Sequence, residues 1–120
     1  MVDNSRRDET ISNKIHAEIE DIIRFISGMD ENDFFTDTKT QKAVAMSLIN
    51  IGELTKAYSD DFTRAKSAVP WKKVQAMRNI AAHRYEAVDM QVVWKTIKED
   101  LTVLQNIVAN ELLNKLPPEA

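Results

Sequence analysis

The residues of this chain that could do chemistry lie close together between positions 70 and 85. Arg78, Asn79, His83 and Tyr85 fall within one short stretch. A histidine titrates near neutrality and can take a proton from a ribose hydroxyl or return one. An arginine can stabilise the charge of a phosphoryl transition state, and an asparagine can orient the substrate or the histidine. These groups suffice for RNA cleavage by attack of the 2′-hydroxyl, without a metal ion or another cofactor.

Each of these residues also has an ordinary structural explanation. His83 could cap a helix C-terminus, Arg78 could form a salt bridge, and Tyr85 could lie at the edge of the core with its hydroxyl in water. Arg78 and His83 are also about 140° apart on an ideal α-helix. Three arrangements would still bring them together: the arginine side chain curls towards the histidine, the helix ends before it, or a second subunit completes the site.

The elements that must position these residues are helices. Only two glycines and three prolines occur, and few breakers among many good helix formers favour long helices. Apolar residues recur at helical spacing over about residues 8–28, from the cap candidates Thr36, Asp37 and Thr38 to Tyr58, over about residues 70–83, and from Asp89 to about residue 115. A short helix or irregular connector is expected over residues 60–69. The predicted fold is all-α, an antiparallel bundle of four to five helices.

The same periodicity predicts which helix faces are buried. In the third main helix Trp71, Val74 and Met77 share the core side with Ala81, whereas Asn79 and His83 point away from it. Gly28 and the polar run Asp30-Glu31-Asn32-Asp33 are expected to end the first helix. The other predicted core positions, grouped by helix, are Ile11, Ile15, Ile19, Ile22, Ile23 and Ile26; Ala43, Val44, Leu48, Ile51, Leu54, Thr55 and Tyr58; Val92, Val93, Ile97, Leu101, Leu104, Ile107, Val108 and Leu112.

The composition excludes several classes of protein. Two glycines cannot supply a dinucleotide-binding loop, a P-loop or a nucleophile elbow. Cysteine is absent, which removes thiolate metal sites and cysteine nucleophiles and fits a reducing cytoplasm. Neither histidine follows a glutamate by three residues, as a di-metal bundle would need, so no metal site is expected. No apolar run approaches the roughly 18 residues of a membrane span, and the polar N-terminus has no signal-peptide core.

The charge is unevenly distributed along the chain. The net charge is −3, but residues 63–98 carry eight basic and two acidic side chains, whereas residues 1–62 carry seven basic and thirteen acidic ones. A basic middle segment could form a local anion-binding face. It could equally reflect ordinary charge pairing between neighbouring helices.

The motif Arg78-x4-His83-x-Tyr85, with polar Asn79 after the arginine, resembles the R-x4-H-x-Y form of HepT toxins in the HEPN-domain family. Three further segments resemble that family: Pro70-Trp71, Asn50-Ile51-Gly52-Glu53, and Val88-Asp89 through Val92-Val93-Trp94. The resemblance covers about residues 8–115, so residues 1–120 are interpreted as one HEPN-like domain. Leu54 departs from the family pattern, in which a small residue is expected.

The resemblance implies a helical homodimer in which two Arg–His motifs line a cleft at the interface. It implies a metal-independent ribonuclease that inhibits growth, with RNA as its substrate. It also implies a partner, an antitoxin of the minimal nucleotidyltransferase type, which transfers AMP to the motif tyrosine, here Tyr85. Glu53 could line the cleft or pair with a basic residue where two helices pack, and Arg84 is a second candidate for the cleft lining.

Two other functions remain possible on the sequence. The same fold and dimer could bind the nucleotidyltransferase without any catalysis, with the motif serving only for binding. Alternatively, the chain could be a helical structural dimer in which the motif is a coincidence.

Overall fold

The computed structural model describes residues 5–80 and 89–114. Within these ranges the chain is helical and contains no β-strand, which confirms the predicted all-α fold. A 3₁₀ turn, Ala76–Ile80, continues the fifth helix, and a π-helical turn, Thr96–Asp100, joins the last two. None of the described helices is both long and apolar enough to cross a membrane. The helices are α1 (Ser5–Phe25), α2 (Glu31–Phe35), α3 (Thr38–Thr55), α4 (Asp60–Ala65), α5 (Trp71–Gln75), α6 (Met90–Lys95) and α7 (Leu101–Asn114).

The centre of the bundle is the antiparallel pair α1 and α3, and α7 packs on α1 as well. The Ser12 and Tyr58 hydroxyls are 2.6 Å apart near one end of the pair, and Asn50 Nδ2 donates to Glu18 Oε1 at 3.1 Å further along. The predicted stripes form the core of the bundle, with two exceptions, since Ile23 and Val92 are 42% and 59% exposed. The buried members include Ile11, Ile15, Ile19, Ile22, Ile26, Val44, Leu48, Ile51, Leu104 and Val108.

Helix α2 corrects the interpretation of the segment that follows the first helix. The polar run was expected only to end α1. Instead Asp30 and Asp33 form a reciprocal capping box, each side chain accepting from the backbone N–H of the other, which begins a new helix. This helix buries Phe34 completely, with its ring centroid 5.2 Å from that of Trp94. The short helix therefore connects the N-terminal half of the chain to α6.

The predicted caps of two longer segments are confirmed. Asp37 accepts from the Thr40 N–H at 3.0 Å at the start of α3. This hydrogen bond lowers the pKa of the Asp37 carboxyl, because it favours the charged form. Asp89 accepts from the Gln91 N–H at 2.9 Å at the start of α6.

A buried carboxylate connects the start of α1 to the start of α4. Asp8 is 5% exposed and accepts from Ser59 twice, from its backbone N–H at 2.9 Å and from its hydroxyl at 2.7 Å. The Ser59 hydroxyl oxygen in turn accepts from the Phe62 N–H at 3.2 Å and so caps α4. The short helix α4 is thus held to α1 by one chain of hydrogen bonds.

Replacing Asp8 with alanine is expected to lower the free energy of unfolding by about 2–3 kcal/mol, because two donors on Ser59 lose a charged acceptor in a buried place. Urea denaturation followed by circular dichroism measures the change. Asp61→Ala is the matched control. The Asp61 side chain is 90% exposed and pairs only with Arg64 among the described residues, so its loss costs no more than about 1 kcal/mol. Equal losses for the two variants would contradict a special role of Asp8.

Candidate functional site

Arg78 and Asn79 lie in the 3₁₀ turn that continues α5. The start of this segment is anchored by Trp71, whose indole N–H donates to the carbonyls of Thr63 at 3.0 Å and Lys66 at 3.1 Å. Trp71 therefore anchors the start of this segment to the connection that precedes it. Val74 and Met77 are buried, as predicted, while Asn79 is exposed. The core side of this segment follows the sequence pattern as far as residue 80, and Ala81, predicted on the same side, lies outside the described residues.

The 3₁₀ winding changes the direction of Arg78. A 3₁₀-helix advances by about 120° per residue, against about 100° in an α-helix. Three residues into the turn, Arg78 is therefore rotated by about 60° relative to the α-helix that the sequence predicted to continue to about residue 83. In 3₁₀ geometry residues three apart eclipse each other, so Arg78 lies in line with Gln75, on the side that faces α3. Asn79 lies in line with exposed Ala76.

Gly52 lets α3 approach this segment closely. A Cβ placed on Gly52 would lie 2.7 Å from the backbone nitrogen of Arg78, 3.2 Å from the Gln75 carbonyl oxygen and 3.3 Å from Arg78 Cβ. Any side chain at position 52 would collide with backbone atoms that cannot rotate away. The glycine thus allows the backbone that carries Arg78 to lie directly on α3.

The next residue of α3 contacts the arginine itself. Glu53 Oε1 lies 3.7 Å from Arg78 Nη1, and the two side chains are 57% and 46% exposed. An exposed ion pair of this length contributes little to stability, about 0–1 kcal/mol. Glu53 therefore orients the guanidinium at the surface but leaves most of its donors available to an anion. Glu53 thus pairs with a basic residue where two helices pack, one of the two roles expected for it, and its place in a dimer cleft stays a prediction.

A groove between α1 and α3 begins at the same glutamate. Its volume is about 430 Å³, and its lining residues are Lys14, Ala17, Glu18, Asn50, Glu53 and Leu54. Ala17 and Leu54 provide apolar surface, and the hydrogen bond from Asn50 to Glu18 crosses from one helix to the other. Glu53 belongs to both features, so the groove opens beside Arg78. The site thus combines an exposed cation with an adjoining cavity.

Two further cations precede Arg78 on the same segment. Lys72 and Lys73 are exposed on α5, and neither has an acidic partner within 4.0 Å among residues 5–80 and 89–114. In contrast, Arg64 pairs with Asp61 of its own helix, and Lys95 pairs with Glu99 of the π-helical turn that follows α6. The basic middle of the chain therefore contains both ordinary ion pairs and, on the segment that carries Arg78, two exposed lysines without an acidic partner among the described residues.

Three of the predicted site residues, His83, Arg84 and Tyr85, lie outside the described residues. The relation of His83 to Arg78 and the place of Tyr85 therefore stay predictions. Among the described residues, no group of three or more histidine, aspartate or glutamate side chains is arranged to hold a metal ion. The sequence reasoning did not identify Lys14, Glu18 or the groove they line. Lys14 and Glu18 are four apart on α1, but only the register between α1 and α3 brings them to Glu53.

Comparison with known proteins assigns this chain to a family. The family model described as "Ribonuclease HepT-like" matches residues 15–111, which span the helices from α1 to α7 and include Glu53 and Arg78. The chain belongs to the HepT-like ribonuclease family. The resemblance inferred from the Arg-x4-His-x-Tyr motif is thereby confirmed at the level of the family.

Several relatives support this membership. The chain is 39% identical over 94 residues to a protein of Thermococcus cleftensis named "Probable ribonuclease HepT", covering 72% of this chain and 86% of the relative. It is 34% identical over 101 residues to a protein of Caldanaerobacter subterraneus named as a "Putative RNase", covering 84% of this chain and 89% of the relative. No solved structure matches the chain.

Proposed function

We propose that this HepT-like protein is a metal-independent endoribonuclease toxin that cleaves RNA through Arg78 and His83. His83 takes the proton of the 2′-hydroxyl, the 2′-oxygen bonds to phosphorus, and the 5′-oxygen leaves with a proton returned by the imidazolium. The products are a 2′,3′-cyclic phosphate and a 5′-hydroxyl. Arg78 stabilises the extra negative charge of the transition state, and Asn79 orients the phosphate or the histidine.

The observation that carries this proposal is the position of Arg78. Its backbone is held against α3 by the close approach at Gly52, while its side chain is 46% exposed and only weakly paired with Glu53. A phosphate can therefore reach the Arg78 guanidinium, while the backbone that carries this side chain is held in place. Exposed Lys72 and Lys73 on the same segment favour binding of a polyanion. The names of the two relatives support the same activity.

The proposal includes a homodimer and an antitoxin partner. In the dimer two Arg78–His83 motifs would line one cleft, which would double the local positive charge. A nucleotidyltransferase would neutralise the toxin by transferring AMP to Tyr85. An adenylyl group adds negative charge and bulk beside His83, and both would oppose the entry of RNA.

The test compares the protein purified alone with the protein co-expressed with a minimal nucleotidyltransferase. Intact mass should show one added adenylyl group at Tyr85 only after co-expression, and native mass should show a dimer. Only the unmodified protein should cut RNA, with cyclic-phosphate ends and unchanged rates in EDTA. His83→Ala should lose at least about a hundredfold in rate and retain the wild-type circular dichroism spectrum.

His16→Gln is the matched control, since it replaces the other histidine of the chain and should leave cleavage intact. Absence of cleavage by unmodified wild-type protein at every concentration would overturn the enzyme proposal. If the nucleotidyltransferase still bound equally to wild type and His83→Ala, the protein would be a non-catalytic binding module. A purely monomeric native mass would overturn the shared cleft.

A further inference from the structure

The groove between α1 and α3 is not used by the cleavage chemistry proposed above. We propose that this groove holds one nucleobase of the RNA beside the cleaved phosphate and that it selects guanine. The inference rests on the proposed ribonuclease function and adds a specificity site to it. Its principal residue is Glu18, which touches the base and not the reacting atoms.

The charges around the groove determine which part of a nucleotide can enter it. Glu53 lines the groove and also pairs with the Arg78 guanidinium, which can attract a phosphate beside the groove. Glu18 adds a second carboxylate further along the wall. Lys14 adds one cation to the lining, so the groove with its two carboxylates is still net negative. A net negative groove disfavours a phosphate, and its carboxylates can accept hydrogen bonds from a base. A nucleotide is therefore oriented with its phosphate on Arg78 and its base in the groove.

The lining of the groove suits a planar base. Ala17 and Leu54 supply apolar surface for the ring of a base. Ala17 is exposed, and its side chain is a single methyl group, so it leaves room for the base. Single-stranded RNA is commonly recognised by placing an unstacked base against such a surface and bonding its Watson–Crick edge. Leu54, which departs from the small residue of the family pattern, enlarges the apolar surface in this chain.

The hydrogen-bond acceptor that would recognise the base, the Glu18 carboxylate, is held in a defined orientation. Asn50 Nδ2 donates to Glu18 Oε1 at 3.1 Å across the two helices, and both residues are partly buried. This bond leaves the second carboxylate oxygen of Glu18 and the remaining lone pair of Oε1 free to accept. The carboxylate is thus partly desolvated and fixed before any ligand arrives.

Guanine is the base that matches a fixed carboxylate. Its Watson–Crick edge presents two adjacent donors, N1–H and the N2 amino group, which can form two parallel hydrogen bonds to one carboxylate. Adenine and cytosine present one amino group beside an acceptor nitrogen, and uracil presents one N–H between two carbonyls. Paired charge-assisted hydrogen bonds are stronger and more selective than single ones. The other three bases would place an acceptor against Glu18.

The test measures binding of 2′-O-methyl RNA hexamers, which lack the attacking hydroxyl and cannot be cut. One hexamer contains only uridine, and three others carry a single G, A or C. Fluorescence anisotropy should give about tenfold tighter binding of the G-containing hexamer, the discrimination expected of a bidentate contact. Glu18→Gln should reduce this preference to less than about threefold, because an amide offers a donor where guanine also donates. The Asn50 side-chain amide resonances should shift only with the G-containing hexamer.

Glu20→Gln is the matched control on α1, because Glu20 does not line the groove, and it should keep the full preference for guanine. Equal binding of all four hexamers, or an unchanged preference in Glu18→Gln, would overturn the proposal. Cleavage of the corresponding unmodified hexamers separates the two proposals. If the protein cleaves RNA without preference for guanine, the proposed guanine site is wrong but the ribonuclease function stands. If it neither binds nor cleaves the hexamers, the proposed ribonuclease function is wrong as well.

Discussion

Replacing Arg78 with alanine is expected to lower the rate of RNA cleavage by about 10²- to 10³-fold, the usual effect of removing one group that stabilises transition-state charge. The phosphorane formed by 2′-hydroxyl attack carries one more negative charge than the substrate. The Arg78 backbone packs against Gly52 of α3, and its guanidinium lies beside Glu53 at the end of the groove. Single-turnover rates at saturating protein measure the chemical step separately from binding.

The stability of this variant should change by no more than about 1 kcal/mol, because the Arg78–Glu53 pair is exposed and 3.7 Å long. Arg64→Ala is the matched control, since Arg64 is also exposed and paired with a single aspartate. Arg78→Lys keeps the charge but loses the planar fork of donors, so an intermediate rate is expected. If folded Arg78→Ala cleaved RNA at the wild-type rate, the arginine would serve only to pair with Glu53.

Gly52→Ala is expected to lower the free energy of unfolding by about 1–3 kcal/mol, the range observed for overpacking of a tight contact. Helix propensity alone predicts the opposite sign, since alanine is better than glycine inside a helix by about 1 kcal/mol. The steric term dominates because the added Cβ would lie 2.7 Å from the Arg78 backbone nitrogen. Either α3 or the 3₁₀ turn must move by several tenths of an ångström.

The same displacement should reduce cleavage by the folded variant about 10- to 100-fold, because small misplacements of reacting groups are costly. Gly28→Ala is the control. Gly28 has a positive φ of 77°, so alanine is strained there by about 1–2 kcal/mol, but a Cβ at this position meets nothing within 4 Å. Both variants should lose stability, and only Gly52→Ala should lose activity at a temperature where both are folded. Equal activity of the two would contradict the role of the close approach.

Much of the fold follows from local patterns. Apolar residues at helical spacing predicted the buried stripe of α1 from Ile11 to Ile22. The caps Asp37 and Asp89 were identifiable because aspartate favours the N-cap position. The apolar pattern did not distinguish a helix from a loop where the segment was short. α2 has five residues and no periodic stripe, so its capping aspartates were interpreted as a loop. Its burial of Phe34 depends on Trp94, sixty residues later in the chain.

The candidate site was predicted less completely than the fold. The motif identified Arg78 and Asn79, and periodicity predicted that Asn79 points away from the core, where it is exposed. The pairing of Glu53 with a basic residue was one of two open alternatives. The groove beside it was not predicted, because Glu18 and Asn50 are far apart in the sequence and neither belongs to a spacing pattern for chemistry.

The sequence by itself determined the helical fold, the buried faces of the long helices and the family. These depend on residue type and on spacing within one helix, and both are local properties of the chain. Only the tertiary structure decided the 3₁₀ winding that turns Arg78 towards α3, the close approach at Gly52 and the register that places Glu18 beside Asn50. These depend on how two helices distant in sequence pack together, and that packing is set by the sum of many side-chain contacts across the core.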